Sequence, residues 1–326
     1  MGIRREPDFL LFGDGIDAYH WRGARWFILT YFGAFIGAGL LAPAIYQWIQ
    51  SMPTPADPEA LVAYLQSKPL SKYVDRVRLL FAAGALIWMV GACGLWGRFG
   101  YRWDRLAFKT LGLYILVGLV SLGLVVGCQA LALDPVVKPG SDVARVVEVM
   151  LAALAGGLII GWLEEAIFRG MVLRMFYTAT KPMAAVFLSA LVFAAVHFKS
   201  VPDGVGEPFH WHSGLTVAVY QSVSVFLTVE AVDFLNLFLA GIVLNLVFLR
   251  TGSLVGCMGL HAGWVVVRNT WTKLVEVPEG PTRIWGTERI VDGYLSLMIL
   301  VILAIILYAA LRKHQKKGQV GLQQVS

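Results

Sequence analysis

The stretch Trp-Leu-Glu-Glu-Ala-Ile-Phe-Arg-Gly, residues 162–170, places two adjacent carboxylates and an arginine inside an apolar run. On a helix, Glu165 and Arg169 are four residues apart and can pair, whereas Glu164 is turned about 100° away from Glu165. In hydrocarbon each ionisable side chain costs roughly 2.5 to 3.5 kcal/mol on insertion scales, so such a cluster indicates a functional site. The pattern predicts that one carboxylate is neutralised structurally while Glu164 faces a cavity.

The composition is typical of a membrane protein. Hydrophobic residues make up 58% of the 326 residues and charged residues only 15%, which excludes a disordered chain and disfavours an ordinary soluble domain. The net charge of +6 comes mostly from Lys and Arg in short segments between apolar runs, where such residues set membrane orientation. The lipid bilayer is therefore an expected partner and nucleic acid is not. The three cysteines show no CxxC spacing, so neither a disulfide framework nor a thiolate metal site is expected.

Apolar runs of about 20 residues, the length that spans a bilayer, predict an all-α polytopic membrane protein. We expect about eight transmembrane helices around a buried polar site. The predicted spans are 26–49, 79–96, 111–133, 147–176, 183–198, 234–249, 254–275 and 294–311. A short surface helix is predicted at 60–65, and a membrane-associated or re-entrant piece at 215–229.

The distribution of basic residues predicts the orientation. The amino terminus, the turns at 98–109, 177–181 and 250, and the carboxyl tail fall on one side of the predicted arrangement and are mostly basic. Both termini are therefore expected in the cytoplasm. We expect an integral protein of the bacterial cytoplasmic membrane.

The rise of a helix indicates which titratable groups can meet. Counted from the turn at 177–181, Glu164 lies roughly 18 Å into the membrane and His197 roughly 22 Å, so adjacent antiparallel helices bring them to a similar depth. His261 lies roughly 12 Å from the start of its span, which is shallower unless that helix is offset or tilted. We expect the three side chains to converge on one buried pocket.

The chemistry that such a pocket suits is hydrolysis. A buried carboxylate can take a proton from water as general base, and a nearby imidazole can share that proton or orient the water. A second imidazole can donate to the oxyanion that forms when water adds to a carbonyl. No serine or cysteine is placed as convincingly beside a base.

Three motifs that carry these acids and imidazoles follow one another along the chain: Glu164-Glu165-x-x-x-Arg169, Phe193-x-x-x-His197 and His261. Their order and spacing resemble the intramembrane CAAX prenyl protease and bacteriocin-processing family, also called the abortive-infection family. The resemblance covers about residues 145–270. It implies N-terminal transmembrane helices in residues 1–140, a CAAX-protease-like catalytic core in 141–275, and a last helix with a basic cytoplasmic tail in 276–326.

The resemblance implies an intramembrane endopeptidase that hydrolyses a peptide bond of a membrane-anchored or membrane-proximal peptide or protein. Glu164 would activate the water, with His197 as its partner. Glu165 and Arg169 would shape the site, and His261 would help to bind the oxyanion.

The sequence does not decide whether the site holds a cofactor. The family is described both as a metalloprotease family and as one that uses a metal-free glutamate mechanism, and this chain lacks the HExxH motif. Either the site holds no cofactor, or a divalent metal such as zinc is held by Glu164, His197 and His261.

One position departs from the family pattern. The last motif usually places Asn or Asp four residues after the histidine, and here that position is Val265. Asn269, eight residues after His261, and Asn245 on the sixth span are alternative sources of oxyanion support. The departure favours a rival interpretation, a catalytically impaired membrane immunity or scaffolding protein of the same fold. A proton-coupled transporter that uses the same carboxylates is a third interpretation, which the lack of internal repeats disfavours.

Overall fold

The computed structural model describes residues 16–57, 60–92, 101, 103–199, 201–227, 230–278 and 282–323. The architecture of these residues is helical, as the apolar runs predict. The helices are α1 (Ile16–Gln50), α2 (Leu61–Gln66), α3 (Leu70–Ala92), α4 (Arg105–Leu133), α5 (Val143–Ile167), α6 (Leu173–Ala179), α7 (Pro182–His197), α8 (Ser213–Leu227), α9 (Ala231–Thr251), α10 (Leu254–Leu274), α11 (Thr282–Trp285) and α12 (Tyr294–Gln323). A π-helical segment, Phe168–Val172, connects α5 to α6.

Several of the described helices are long and apolar enough to cross a membrane. These five are Leu29–Gln50, Arg105–Leu133, Val143–Tyr177, Ala231–Thr251 and Tyr294–Lys313. Pro182–His197 and Ser213–Phe226 are apolar but shorter. The prediction of an all-α membrane architecture is confirmed, while the number of eight spans stays a prediction.

Aspartates define the ends of two helices that build the site. The side chain of Asp104 accepts a hydrogen bond from the backbone N–H of Ala107 at 2.8 Å and begins α4. Asp134, with a φ of 45°, adopts the left-handed conformation and ends that helix. The side chain of Asp142 accepts from the backbone N–H of Arg145 at 2.8 Å and begins α5. Each N-terminal cap satisfies a backbone donor that the helix itself leaves unpaired.

The chain forms two compact units. One unit contains α4, α5, α6, α7 as far as Ala194, and α9 to α12. The other contains α1 to α3, the end of α7 from Ala195, and α8. In this second unit the backbones of α1 and α8 approach so closely that a Cβ added at Gly214 would overlap the carbonyl oxygen of Gly39.

In the first unit, α10 is packed between α4 and α5 through glycines. A Cβ added at Gly263 would lie 2.5 Å from the carbonyl oxygen of Ile115 on α4. On the other side, a Cβ added at Gly157 of α5 would lie 3.1 Å from the Cα of Ala262. Larger residues at these positions would push the helices apart, so the glycines set the separation of the three backbones.

A short antiparallel ladder closes one end of this three-helix arrangement. Strand β1 (Val136–Val137) follows α4, and strand β2 (Val275–Glu276) follows α10. The backbone N–H of Lys138 donates to the carbonyl of Leu274 at 2.9 Å and extends the contact. The sequence did not predict this ladder, because a pairing of two residues each across distant segments leaves no local pattern.

Candidate active site

The acidic pair lies in the last turn of α5, immediately before the π-helical segment. The sequence predicted an uninterrupted helix over 147–176, whereas the structure has a wider turn at Phe168–Val172. A π-helical turn holds more residues than an α-helical turn, and such turns occur frequently at functional sites. Arg169 lies inside the wider turn and remains within reach of Glu165.

Arg169 and Glu165 form a completely buried ion pair. Both have 0% exposure, and Nη1 of Arg169 donates to Oε1 of Glu165 at 3.1 Å. The other guanidinium nitrogens are also used, since Nε donates to Oδ1 of Asn245 and Nη2 to the carbonyl of Gly241, each at 3.2 Å. The guanidinium carbon lies 4.6 Å from the ring centroid of Phe193. A buried ion pair is retained when its remaining donors are satisfied in this way, and the predicted pair is confirmed.

Asn245 connects the ion pair to a third helix. Its Nδ2 donates to the carbonyl of Val186 on α7 at 2.9 Å, while its Oδ1 accepts from Arg169. The amide is fully buried and engaged at both ends. The sequence suggested Asn245 as oxyanion support, and the structure places it against the buried arginine.

His261 of α10 is the imidazole that the structure brings to the acidic pair. Its Nδ1 lies 3.0 Å from Oε1 of Glu165, and its Nε2 lies 3.9 Å from Oε2 of Glu164. An ionised carboxylate only accepts hydrogen bonds, so the contact with Glu165 assigns the imidazole proton to Nδ1. When the ring is neutral, Nε2 is then an acceptor.

The two carboxylates differ in access. The side chain of Glu165 has 0% exposure, whereas that of Glu164 has 22% and that of His261 has 12%. Glu165 therefore holds the arginine and the imidazole from inside, while the side chain of Glu164 is partly exposed and its Oε2, the oxygen nearest to His261, is buried.

The axial offset between α5 and α10 explains why His261 reaches the acidic pair. His261 is only seven residues after the start of α10 at Leu254, whereas the helical path after Glu165 continues to Ala179. The depth estimate treated both helices as beginning at the same level and therefore placed His261 too shallow. An offset is one of the two alternatives that the sequence left open.

His197 is the last residue of α7 and belongs to the second compact unit. Residues beside it are tied to other helices of that unit. Oγ of Ser224 donates to the carbonyl of Phe198 at 2.7 Å, and Nζ of Lys199 lies 3.8 Å from Oδ1 of Asp75. The partnership of His197 with Glu164 stays a prediction.

The two positions beyond His261 have different surroundings. The Cβ atom of Val265 lies 3.1 Å from the position of a Cβ added at Gly157, so this side chain packs where α10 meets α5. Asn269 is one turn further, and its Oδ1 accepts from Nη1 of Arg268 at 3.4 Å. Val265 is thus part of the helix contact at the place where the family pattern has a polar residue.

Two residues near the site were missed by sequence reasoning. The hydroxyl of Tyr101 donates to the carbonyl of Trp162 at 2.5 Å, which only tertiary structure reveals. The thiol of Cys257, one turn before His261, is fully buried and lies 3.4 Å from the carbonyl oxygen of Leu244. For Cys257, the four-residue spacing to His261 was a signal that could have been used.

The donor set can be compared with what a metal requires. Among the residues that the structure describes, no group of three or more His, Cys, Asp or Glu side chains is arranged to hold a metal ion. Oε1 of Glu165 already faces Arg169 and His261, and a guanidinium 3.1 Å away repels a second cation. Glu165 is therefore poorly suited as a metal ligand, and a metal held by Glu164, His197 and His261 stays a prediction.

The fold and this cluster define a class: polytopic membrane proteins with acid and imidazole groups gathered among their helices. Comparison with protein-family models gives a match over residues 146–267 to the model described as Rce1-like, type II CAAX prenyl endopeptidase Rce1-like. The match confirms the family resemblance that the three motifs predicted, and it supports an integral membrane protein of the peptidase class. Neither the curated proteins nor the solved structures include a significant match to the chain.

Proposed function

We propose that the protein is an intramembrane endopeptidase in which Glu164 activates water for attack on a peptide bond of a membrane-anchored or membrane-proximal substrate. The observation that carries the proposal is a single imidazole between two carboxylates, with Nδ1 of His261 at 3.0 Å from Glu165 and Nε2 at 3.9 Å from Glu164. The match to a prenyl endopeptidase family supports a peptidase.

The geometry gives each group a role. Two atoms 3.9 Å apart can both contact one water molecule at about 2.8 Å. Glu164 takes a proton from that water as general base and then delivers it to the leaving amine. Nε2 of His261 accepts the second hydrogen bond of the water and orients it.

Glu165 acts by holding the imidazole. It keeps the proton of His261 on Nδ1, and Arg169 holds the carboxylate of Glu165 in place. This role for His261 differs from the oxyanion donor that the resemblance implies, because an unprotonated Nε2 cannot donate. His197 supplies the second imidazole that the family motif implies.

The test is cleavage of a library of membrane-anchored peptides by the purified full-length protein in lipid. Glu164→Gln should lower the cleavage rate by about 100- to 10,000-fold, the usual contribution of a general base. Glu148→Gln is the matched control, because Glu148 lies on the same helix and is paired with Arg145 on an exposed surface. Cleavage by Glu164→Gln at the rate of the unaltered protein would refute the proposal. Separate assays of the single variants His261→Ala and His197→Ala report whether one or both imidazoles take part in the reaction.

A chelator added to the active protein addresses the cofactor. A glutamate mechanism predicts an unchanged rate, because no step above uses a metal. Loss of activity that zinc restores would assign a metal to the reaction and overturn the metal-free role of Glu164.

The packing of Val265 favours a second candidate, a non-catalytic membrane protein that kept the fold. Its apolar side chain occupies the contact between α10 and Gly157, where the family pattern has Asn or Asp. If the unaltered chain cleaves no peptide and Val265→Asn cleaves, the natural protein is an impaired relative. Cleavage by the unaltered chain rejects this candidate.

A further inference from the structure

Arg268 is a cation on α10 that the proposed reaction does not use. It follows His261 by seven residues, which is close to two helical turns, so the two side chains leave the same face of the helix. The rise between them is about 10.5 Å. Arg268 is exposed, and this face of α10 therefore leads from the imidazole to an accessible guanidinium.

The guanidinium of Arg268 has few hydrogen-bond acceptors within the described part of the chain. It forms no salt bridge there, and its Nη1 donates to Oδ1 of Asn269 at 3.4 Å, a long distance for an N–H···O bond. A guanidinium has five N–H donors in a fork that suits a carboxylate. Most of the binding capacity of this side chain is not used by the amide.

The charged groups around Arg268 are already paired with others. Arg289 lies close enough to repel the charge of Arg268, and Asp292 lies close enough to attract it. Nη2 of Arg289 donates to Oδ2 of Asp233 at 2.8 Å. The carboxylate of Asp292 accepts from the backbone N–H and the hydroxyl of Thr287. An additional anion next to Arg268 would relieve the repulsion between the two arginines.

We infer that Arg268 binds a carboxylate of the substrate. The inference rests on the proposed function. An extended peptide advances about 3.3 to 3.6 Å per residue, so the rise of about 10.5 Å from His261 corresponds to about three residues. Because the side chain of Arg268 is long and can lean either way along the helix axis, the carboxylate lies two to four residues from the scissile bond. An acidic side chain and a free carboxyl terminus supply the same chemistry.

The experiment measures kcat/KM for peptide pairs that differ by one charge. One series moves a single Asp along the positions on either side of the cleavage site, with Asn as the neutral counterpart. A second series compares a free carboxyl terminus with its amide at different distances. The unaltered protein should prefer the carboxylate by about ten-fold or more at one distance, the effect of a charge-assisted hydrogen bond. The series that shows the preference identifies the source of the carboxylate.

Variants of Arg268 assign the preference to this residue. Arg268→Ala should remove it, and Arg268→Glu should favour Lys over Asp at the same position. Lys273→Ala is the matched control, because Lys273 is an exposed cation on the same helix, and it should leave the preference unchanged. A preference that survives in Arg268→Ala would overturn the inference. The inference would also be overturned if the effect of Arg268→Ala on kcat/KM depended on the anionic lipid content of the membrane and not on the charge of the peptide.

A binding measurement separates this inference from the proposed function. Affinities of fluorescent peptides for the full chain carrying Glu164→Gln, with and without Arg268→Ala, require no cleavage. A charge preference in binding that depends on Arg268 supports the carboxylate subsite even if the protein is not a peptidase. Cleavage that depends on Glu164 but shows no charge preference would retain the peptidase and reject the subsite.

Discussion

Replacing Arg169 with Met removes the cation that neutralises Glu165 among the helices. Met has a comparable length and can pack against the ring of Phe193, so the volume of the side chain is largely kept. The change leaves Glu165 at 0% exposure with His261 as the partner that remains, and it deprives Asn245 of its guanidinium donor.

The magnitude follows from the contacts that are lost. Removing one partner of a buried ion pair costs about 3 to 5 kcal/mol, because the other charge stays buried without compensation. Protonation of Glu165 lowers this cost, whereas the oxygens of Asn245 and Gly241 that lose their donor act in the opposite direction. We expect Arg169→Met to lower the free energy of unfolding by about 3 to 5 kcal/mol.

The assay is reversible unfolding in mixed micelles, followed by circular dichroism. Arg145→Met is the control, because its pair with Glu148 is exposed and contributes about 0 to 1 kcal/mol. The double variant Glu165→Gln/Arg169→Met should recover part of the loss, since it leaves no isolated charge. Equal losses for Arg169→Met and Arg145→Met, or no recovery in the double variant, would refute the assignment of a buried, structurally required ion pair.

Further predictions concern the helix contacts and the imidazole. Gly263→Ala should lower the free energy of unfolding by about 1 to 3 kcal/mol because its methyl group would meet the carbonyl of Ile115 at 2.5 Å. Gly161→Ala, whose methyl group would have its nearest neighbour at 3.4 Å, should change the same quantity by less than about 1 kcal/mol; similar unfolding midpoints for the two variants would contradict this. Glu165→Gln should lower kcat by about 10- to 100-fold with little change in peptide affinity, because the amide no longer fixes the proton of His261 on Nδ1. An unchanged kcat would show that Glu165 does not position the imidazole.

Helix ends were predictable where a helix-breaking residue stands next to them. The third predicted span and α4 both end at Leu133, because Asp134-Pro135 follows. The eighth predicted span and α12 both begin at Tyr294, after a glycine. The π-helical segment Phe168–Val172 could not be predicted, because its residues are compatible with an ordinary α-helix and the wider turn depends on packing.

Contacts within one helix of the site were predictable from the sequence, whereas contacts between helices were not. The ion pair of Glu165 and Arg169 follows from a spacing of four residues on one helix. The contact of Glu165 with His261 joins residues far apart in sequence and depends on the axial offset of α5 and α10. The use of Asn245 as an acceptor for the arginine is equally hidden, since a single apolar helix gives no sign of which neighbour its polar residue faces.

The glycines along α10 have a consequence for how this site can vary. Where main chains touch, as at Gly263 and Ile115, the distance between helices is set by atoms common to all residues. Exchanging side chains elsewhere on α4 cannot tune that distance, and a methyl group at the contact would move the whole helix. The axial position of His261 relative to the acidic pair is thus determined by the glycines at the helix contacts.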